Sequence, residues 1–292
     1  MLQDYLIPET VEQALSYLQD NKGQARIIAG GTDLLLDLAD GKKEAGVLVD
    51  ITRIPGLKKI TMEDGVIRIG AAVTHNRVAK SEIIQEKASV LAQASRSVGS
   101  LQIRNCATVV GNVVNAQPAA DAAVALVALG AEAEIVSPTG KEYIPVEKLY
   151  AGVGKSTLDS TAQIVTGIRF PAALKNQGSA YERLEQRKAL ALPMLNVAVA
   201  VSLSGERFEW ARIAMAPVGT GPVRAAEAEA ILKGAEANLE VIEKAAQAAT
   251  SQANPRSSAL RGSREYRLEV LPVLVRRALE AAVAQAKGNC KQ

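Results

Sequence analysis

The chain has 292 residues, 48% of them hydrophobic and 22% charged, with a net charge of +3. At roughly 150 residues per domain that length favours two domains, and with only 3% aromatics their cores must be aliphatic and alanine-rich. The mild charge, with no basic stripe interleaved with aromatics, argues against nucleic-acid binding, and no apolar run is long enough to cross a bilayer.

The opening, Met1 to Tyr5, lacks the basic and apolar stretches of an export signal, so the expected location is the cytoplasm. Two distant cysteines, Cys106 and Cys290, give no CxxC pair and no expected disulfide, and they are too few to hold an iron–sulfur cluster. A single histidine, His75, argues against multi-histidine metal sites and Ser-His-Asp hydrolysis.

In chain order, Thr10-Val11-Glu12-Gln13 has the form of a capping box and should open a helix through Leu18. Ala25 to Ile28 reads as a short buried strand, broken by Gly30-Gly31. Thr32-Asp33 should cap a short helix from Leu34 to Asp40, and Val47 to Ile51 is the next strand. Two alternating segments, Lys59 to Met62 and Val66 to Ile69, flank Glu63-Asp64-Gly65 and predict a hairpin. A helical stretch follows from Arg77 to Gly99. A loop rich in glycine and asparagine, Arg104 to Pro118, then leads into a helix from Ala119 to Leu129, stopped by Gly130. Strands are expected at Ala133 to Val136 and Gln163 to Phe170, with a turn at Ser137 to Gly140.

Composition changes after Pro171, and Lys175 to Gly178 reads as a linker. Beyond it come strands around Tyr181, at Asn196 to Leu203 and at Glu209 to Ala214. Two helical segments follow before Gln252, and a last helix runs from Glu265 to Lys287. Strands followed by helices suggest a separate α+β domain.

Two segments have the makings of a ligand site. Glycines at a strand end, as in Ile27-Ile28-Ala29-Gly30-Gly31-Thr32-Asp33, let backbone approach a ligand and suit a pyrophosphate; a tight turn with a helix cap is the plainer account. Ala107-Thr108-Val109-Val110-Gly111-Asn112 offers small residues, a hydroxyl and an amide ahead of a helix. Asp121 falls in the first turn of that helix, where capping alone accounts for a carboxylate.

Gly152-Val153-Gly154-Lys155-Ser156-Thr157 resembles the end of a phosphate-binding loop, but Leu149 stands where its first glycine is required, and GxGxxG is absent. His75 reads as a structural histidine near a helix start. Arg183, Arg187 and Lys188 read as the solvated face of a strand, from which one cation would reach a phosphate. Arg256-Ser257-Ser258, with Arg261 and Arg264, reads as a capped loop or a docking surface.

Together these segments resemble the FAD subunits of molybdenum hydroxylases, the family of xanthine dehydrogenase and aerobic carbon monoxide dehydrogenase. The family's AGGT(D/N)L motif stands here as Ala29 to Leu34. Its TxGGN motif with a following proline and aspartate stands as Thr108 to Asn112, Pro118 and Asp121. Ile69-Gly70-Ala71, Gln102 to Asn105, Gly152 to Ser156, Pro255 to Ser258 and Ser263 to Arg267 match as well, in the same order. One departure is Val110 in place of a glycine, where a side chain would crowd the flavin phosphates.

The resemblance implies an α+β fold of the vanillyl-alcohol-oxidase type. An FAD-binding domain over 1–173, with lobes of about 1–55 and 56–173, would precede a C-terminal α+β domain over 174–288. It implies that Arg26 to Asp33 and Ala107 to Gly111 hold the FAD phosphates and that Asp121 lies towards the ribose and adenine. Asn112 closes the second motif, and Ile164 with the Tyr181-Glu182-Arg183 segment would lie near the flavin. It further implies a heterotrimer with a molybdopterin-binding large subunit and a [2Fe–2S] small subunit, with NAD as an electron acceptor. A purine is the expected substrate of the complex, with carbon monoxide or a heteroaromatic as alternatives. A flavin-less scaffold is the reading of a different class.

Overall fold

The computed structural model describes residues 2–289 except 189, so Cys290 lies outside the described residues. The first lobe is a three-stranded parallel sheet in the order β1-β3-β2, with β1 at Asp4–Leu6, β2 at Ala25–Ile28 and β3 at Val47–Asp50. Helix α1 (Val11–Asp20) covers it, and Oγ1 of Thr10 accepts a hydrogen bond from the Gln13 amide at 3.1 Å, as the capping box predicts. Helix α2 (Leu34–Ala39) follows the glycines. Asp33 occupies its cap position but has helical backbone angles and makes no capping bond, so the expected cap is not formed. Although α2 contains four leucines, it buries none of them.

The second lobe holds a five-stranded antiparallel sheet in the order β4-β5-β10-β6-β7. Strands β4 (Ile60–Glu63) and β5 (Val66–Gly70) form the expected hairpin, with φ of 49° at Asp64 and 73° at Gly65. The stretch read as one helix is three: α3 (His75–Lys80), α4 (Glu82–Lys87) and α5 (Ser89–Ser97), broken where Ser81 and Ala88 leave helical angles. The stretch read as a loop is mostly helical: α6 (Leu101–Cys106) and α7 (Val109–Val114) are short turns nucleated by the side-chain caps Ser100 and Thr108.

Helix α8 (Asp121–Ala128) is buried along its whole length. Strands β6 (Glu132–Ser137), β7 (Gly140–Pro145) and β10 (Ile164–Pro171) complete the sheet, and β8 (Tyr150–Gly152) with β9 (Lys155–Ser156) forms a small hairpin. Gly154 therefore sits in a β-turn, not in a strand-to-helix loop. On the open face of the sheet, Glu134 receives Arg68 (2.7 Å), Lys141 (2.7 Å) and Thr166 (2.6 Å).

The C-terminal unit is the antiparallel sheet β11-β12-β13-β14, comprising Gln177–Leu184, Leu195–Ser204, Arg207–Ala216 and Val223–Arg224. Strand β11 begins inside the expected linker, so the connection from β10 is shorter than the sequence suggested. Helices α9 (Ala226–Leu232), α10 (Leu239–Ala248) and α11 (Arg264–Asn289) follow. Strict alternation divides the sheet between two cores. Val197, Val199 and Val201 of β12 belong to a core with α11, whereas Ala198, Ala214 and Ala216 face the first core and α8. At Gly178 a β-carbon would lie 2.0 Å from the Ala282 carbonyl oxygen, so only glycine lets β11 seat directly on α11. Among the described residues no helix is long and apolar enough to cross a membrane.

Candidate functional site

The two glycine-bearing motifs, distant in sequence, meet in space. Strand β2 ends at Ile28, and the chain turns at Gly31 with φ of +68°. A β-carbon on Gly30 would lie 2.3 Å from the Cys106 carbonyl oxygen and 2.9 Å from the Ala107 Cα, so glycine is required for the two backbones to touch. The second segment is pinned from behind. The His75 amide donates to the Ala107 carbonyl at 3.0 Å, the Val109 amide donates to the Val73 carbonyl at 3.1 Å, and Thr74 bridges Thr108. Oγ1 of Thr108 accepts from the Gly111 amide at 3.0 Å and caps α7.

Val110 is 4% exposed and packs in the first core with Val109, so its side chain is taken up by the interior. The amide oxygen of Asn112 is buried without a hydrogen-bond partner. Ile28 is buried, Ile27 and Ala29 pack partly against the core, and Thr32 is half-buried at the mouth. Arg26 is committed within the chain: Nε donates to the Glu44 carbonyl at 3.3 Å and Nη1 to Oγ of Ser160 at 2.8 Å.

Asp121 forms a second group. It is the first residue of α8, in the first turn where the sequence put it, and is 5% exposed; its hydrogen bonds go outside the helix. Its Oδ1 accepts three hydrogen bonds from the C-terminal sheet: Tyr181 Oη at 2.5 Å, Arg183 Nε at 3.0 Å and Asn196 Nδ2 at 3.1 Å. Tyr181 and Arg183 are two apart on β11, and Arg183 lies in register with Asn196 on β12, so all three side chains reach one face.

Arg183 also pairs with Glu185 and donates to the Ala191 carbonyl. Its side chain is therefore largely enclosed and neutralised rather than on a solvated face. Arg187 and Lys188 lie beyond the end of β11. Glu182, by alternation, faces away from Asp121. Ile164 is buried in β10 beside Val136.

Tyr181, with Glu182 and Arg183, was expected near the flavin, whereas Asn196 was not singled out although its signal was present. A tyrosine and an arginine two apart in a strand share a face, and Asn196 is a lone amide opening an aliphatic strand.

His75 is fully buried, and both ring nitrogens lack hydrogen-bond partners. Burial, aided by the nearby Arg104 charge, lowers its pKa from 6.5 to about 4, which keeps the ring neutral. Burial first, then the Asp121 charge, push the Tyr181 phenol well above its ordinary value, so it remains a donor.

The arrangement suits an extended dinucleotide. Half-buried glycines bring the two motifs together, an orphaned amide oxygen sits in α7, and a fixed carboxylate opens α8. No group of three or more His, Cys, Asp or Glu side chains able to hold a metal occurs among the described residues.

Comparisons with known proteins agree with this geometry. Residues 1–173 match the FAD binding domain in molybdopterin dehydrogenase, and residues 179–282 match the CO dehydrogenase flavoprotein C-terminal domain. The chain is 33% identical over 282 residues to the xanthine dehydrogenase FAD-binding subunit of Escherichia coli O157:H7, covering 96% of each chain. It is 29% identical over 282 residues to the carbon monoxide dehydrogenase medium chain of Hydrogenophaga pseudoflava, covering 97% of each. Among solved structures it superposes on a carbon monoxide dehydrogenase chain from Hydrogenophaga pseudoflava with a TM-score of 0.92 and 30% identity, over 98% of each chain. Similarity of this extent along the whole chain, joined to the cradle between Gly30 and Ala107, identifies the fold and its use: the chain belongs to the family of FAD-binding subunits of molybdenum hydroxylases.

Proposed function

We propose that this chain carries FAD between an iron–sulfur subunit and a soluble acceptor in a purine-oxidising complex. Its partners in this reading are a small subunit with [2Fe–2S] clusters and a large molybdopterin subunit that oxidises the substrate. NAD is the proposed acceptor. The purine assignment is supported by the 33% identity to a relative named as a xanthine dehydrogenase subunit, against 29% for a carbon monoxide dehydrogenase chain. We place the FAD-binding domain at 1–173 and the C-terminal domain at 174–288, a division supported by the two separate cores.

When bound, FAD supplies the conversion between one-electron and two-electron transfer, and the protein supplies position and electrostatics. Ile27 to Asp33 and Ala107 to Asn112 line the phosphates, Asp121 meets a sugar hydroxyl, and Ile164 and Glu182 lie towards the ring. Arg26 and Arg183 act by holding the walls, since their guanidinium groups are engaged within the chain. The contact of Gly30 with Cys106 and Ala107 carries this reading, because it joins both motifs into one cradle. The test is to purify the chain, record its visible spectrum and identify any released cofactor. One FAD per chain is expected. A colourless protein that takes up no added FAD, alone or with its partners, sinks the reading and leaves a scaffold role.

A further inference from the structure

A carboxylate oxygen that accepts three hydrogen bonds from another domain has little freedom left. Oδ1 of Asp121 is in that position, whereas Oδ2 makes no hydrogen bond within the described residues. Resting on the flavin reading above, we propose that Tyr181 and Asn196 are positioning residues: by saturating Oδ1 they fix the rotation of Asp121 and present Oδ2 to a ribose or ribityl hydroxyl of the dinucleotide. Neither touches the cofactor in this scheme.

The parts suit the task. Tyr181 donates at 2.5 Å, and Asn196 braces its Oη at 3.3 Å as well as donating to Asp121. Arg183 balances the buried charge and extends the clamp to Glu185 and the Ala191 carbonyl. Asp121 belongs to α8, directly after the phosphate-lining α7, while its three donors all belong to the C-terminal sheet. Ala198 and Ala214 on the same sheet face are small enough to let α8 approach. Cofactor affinity and the seating of that sheet on α8 are therefore linked, and each strengthens the other.

The experiment titrates FAD into the full chain, freed of flavin, and follows flavin fluorescence. Stability in urea is recorded alongside. Tyr181→Phe keeps the ring and loses one donor, so it should bind FAD about tenfold more weakly, the equivalent of about 1.4 kcal/mol. In an Asp121→Asn background the same change should cost less than about twofold, because its route to the cofactor is gone. Asn196→Ser should weaken binding in the same direction, and it carries the comparison if Tyr181→Phe does not fold.

Wild-type affinity in both single variants overturns the proposal. So does an undiminished loss in the Asp121→Asn background, or a loss of urea stability with affinity unchanged. A wild-type chain that takes up no FAD rejects the flavin reading itself, a result distinct from any of these.

Discussion

Replacing His75 with leucine removes the chain's only imidazole and should flatten its stability profile between pH 7 and pH 5. The side chain is fully buried, and its pKa falls from 6.5 to about 4. Below pH 6.5 the unfolded chain takes up a proton that the folded chain refuses until about pH 4. Folding stability therefore rises with pH through this window and is lost on acidification. At about 1.4 kcal/mol per pH unit, the loss between pH 7 and pH 5 is about 2 kcal/mol, approaching about 3 kcal/mol near pH 4.

Urea unfolding at several pH values measures it, with far-ultraviolet circular dichroism as the probe. The single tryptophan, Trp210 on β13, reports the C-terminal sheet separately. If both probes move together, the two units unfold as one. The leucine variant should keep its midpoint between pH 7 and pH 5, whatever packing energy it gains or loses. An unchanged slope in the variant would refute the assignment of the titration to His75.

Three other outcomes follow from the geometry. Gly30→Ala forces its methyl against the Cys106 carbonyl, so the cradle must open; flavin content should fall while the circular dichroism spectrum stays folded. Thr108→Ala removes the cap of α7 and should cost about 1 kcal/mol in urea unfolding, with a further loss of flavin affinity. Glu134 bears on acid stability. Burial alone would raise its pKa, but hydrogen bonds from Arg68, Lys141 and Thr166 outweigh that and lower it from 4.5 to about 2. Its contribution is complete above pH 4.5 and disappears as pH falls through about 2, so Glu134→Gln should lower the urea midpoint at pH 7 and much less near pH 2.

Local signals were read well where the determinant was local. The Asp64-Gly65 hairpin, the Thr10 cap and the strand ending before Gly30 all appear where the sequence puts them. Long-range determinants were harder. Strand β7 (Gly140–Pro145) is mostly exposed and lacks apolar alternation; pairing with β6 makes it a strand. Strand β1 is three residues, and β3 is the strand it pairs with among the described residues.

Helices α6 and α7 were hidden by glycine and asparagine, which lower helix propensity, although Ser100 and Thr108 stood in cap positions. The glycine cradle was legible as two motifs but not as a contact. The clamp on Asp121 was not legible as a unit, because its donors come from two strands of another domain.

The glycine contact between β11 and α11 also has a consequence for synthesis. Gly178 rests on Ala282 and Ala286, and Gln285 accepts from the Ser179 amide while donating to Ser89. These partners are about a hundred residues downstream of β11. At about 5–20 residues per second, the ribosome needs roughly 5–20 seconds to deliver them after β11 has emerged. Throughout that interval the valine face of the C-terminal sheet has no α11 to cover it. The nascent chain thus presents a sticky β surface until its last helix arrives, and a stop codon placed before α11 would leave that surface permanently open to chaperones and to aggregation.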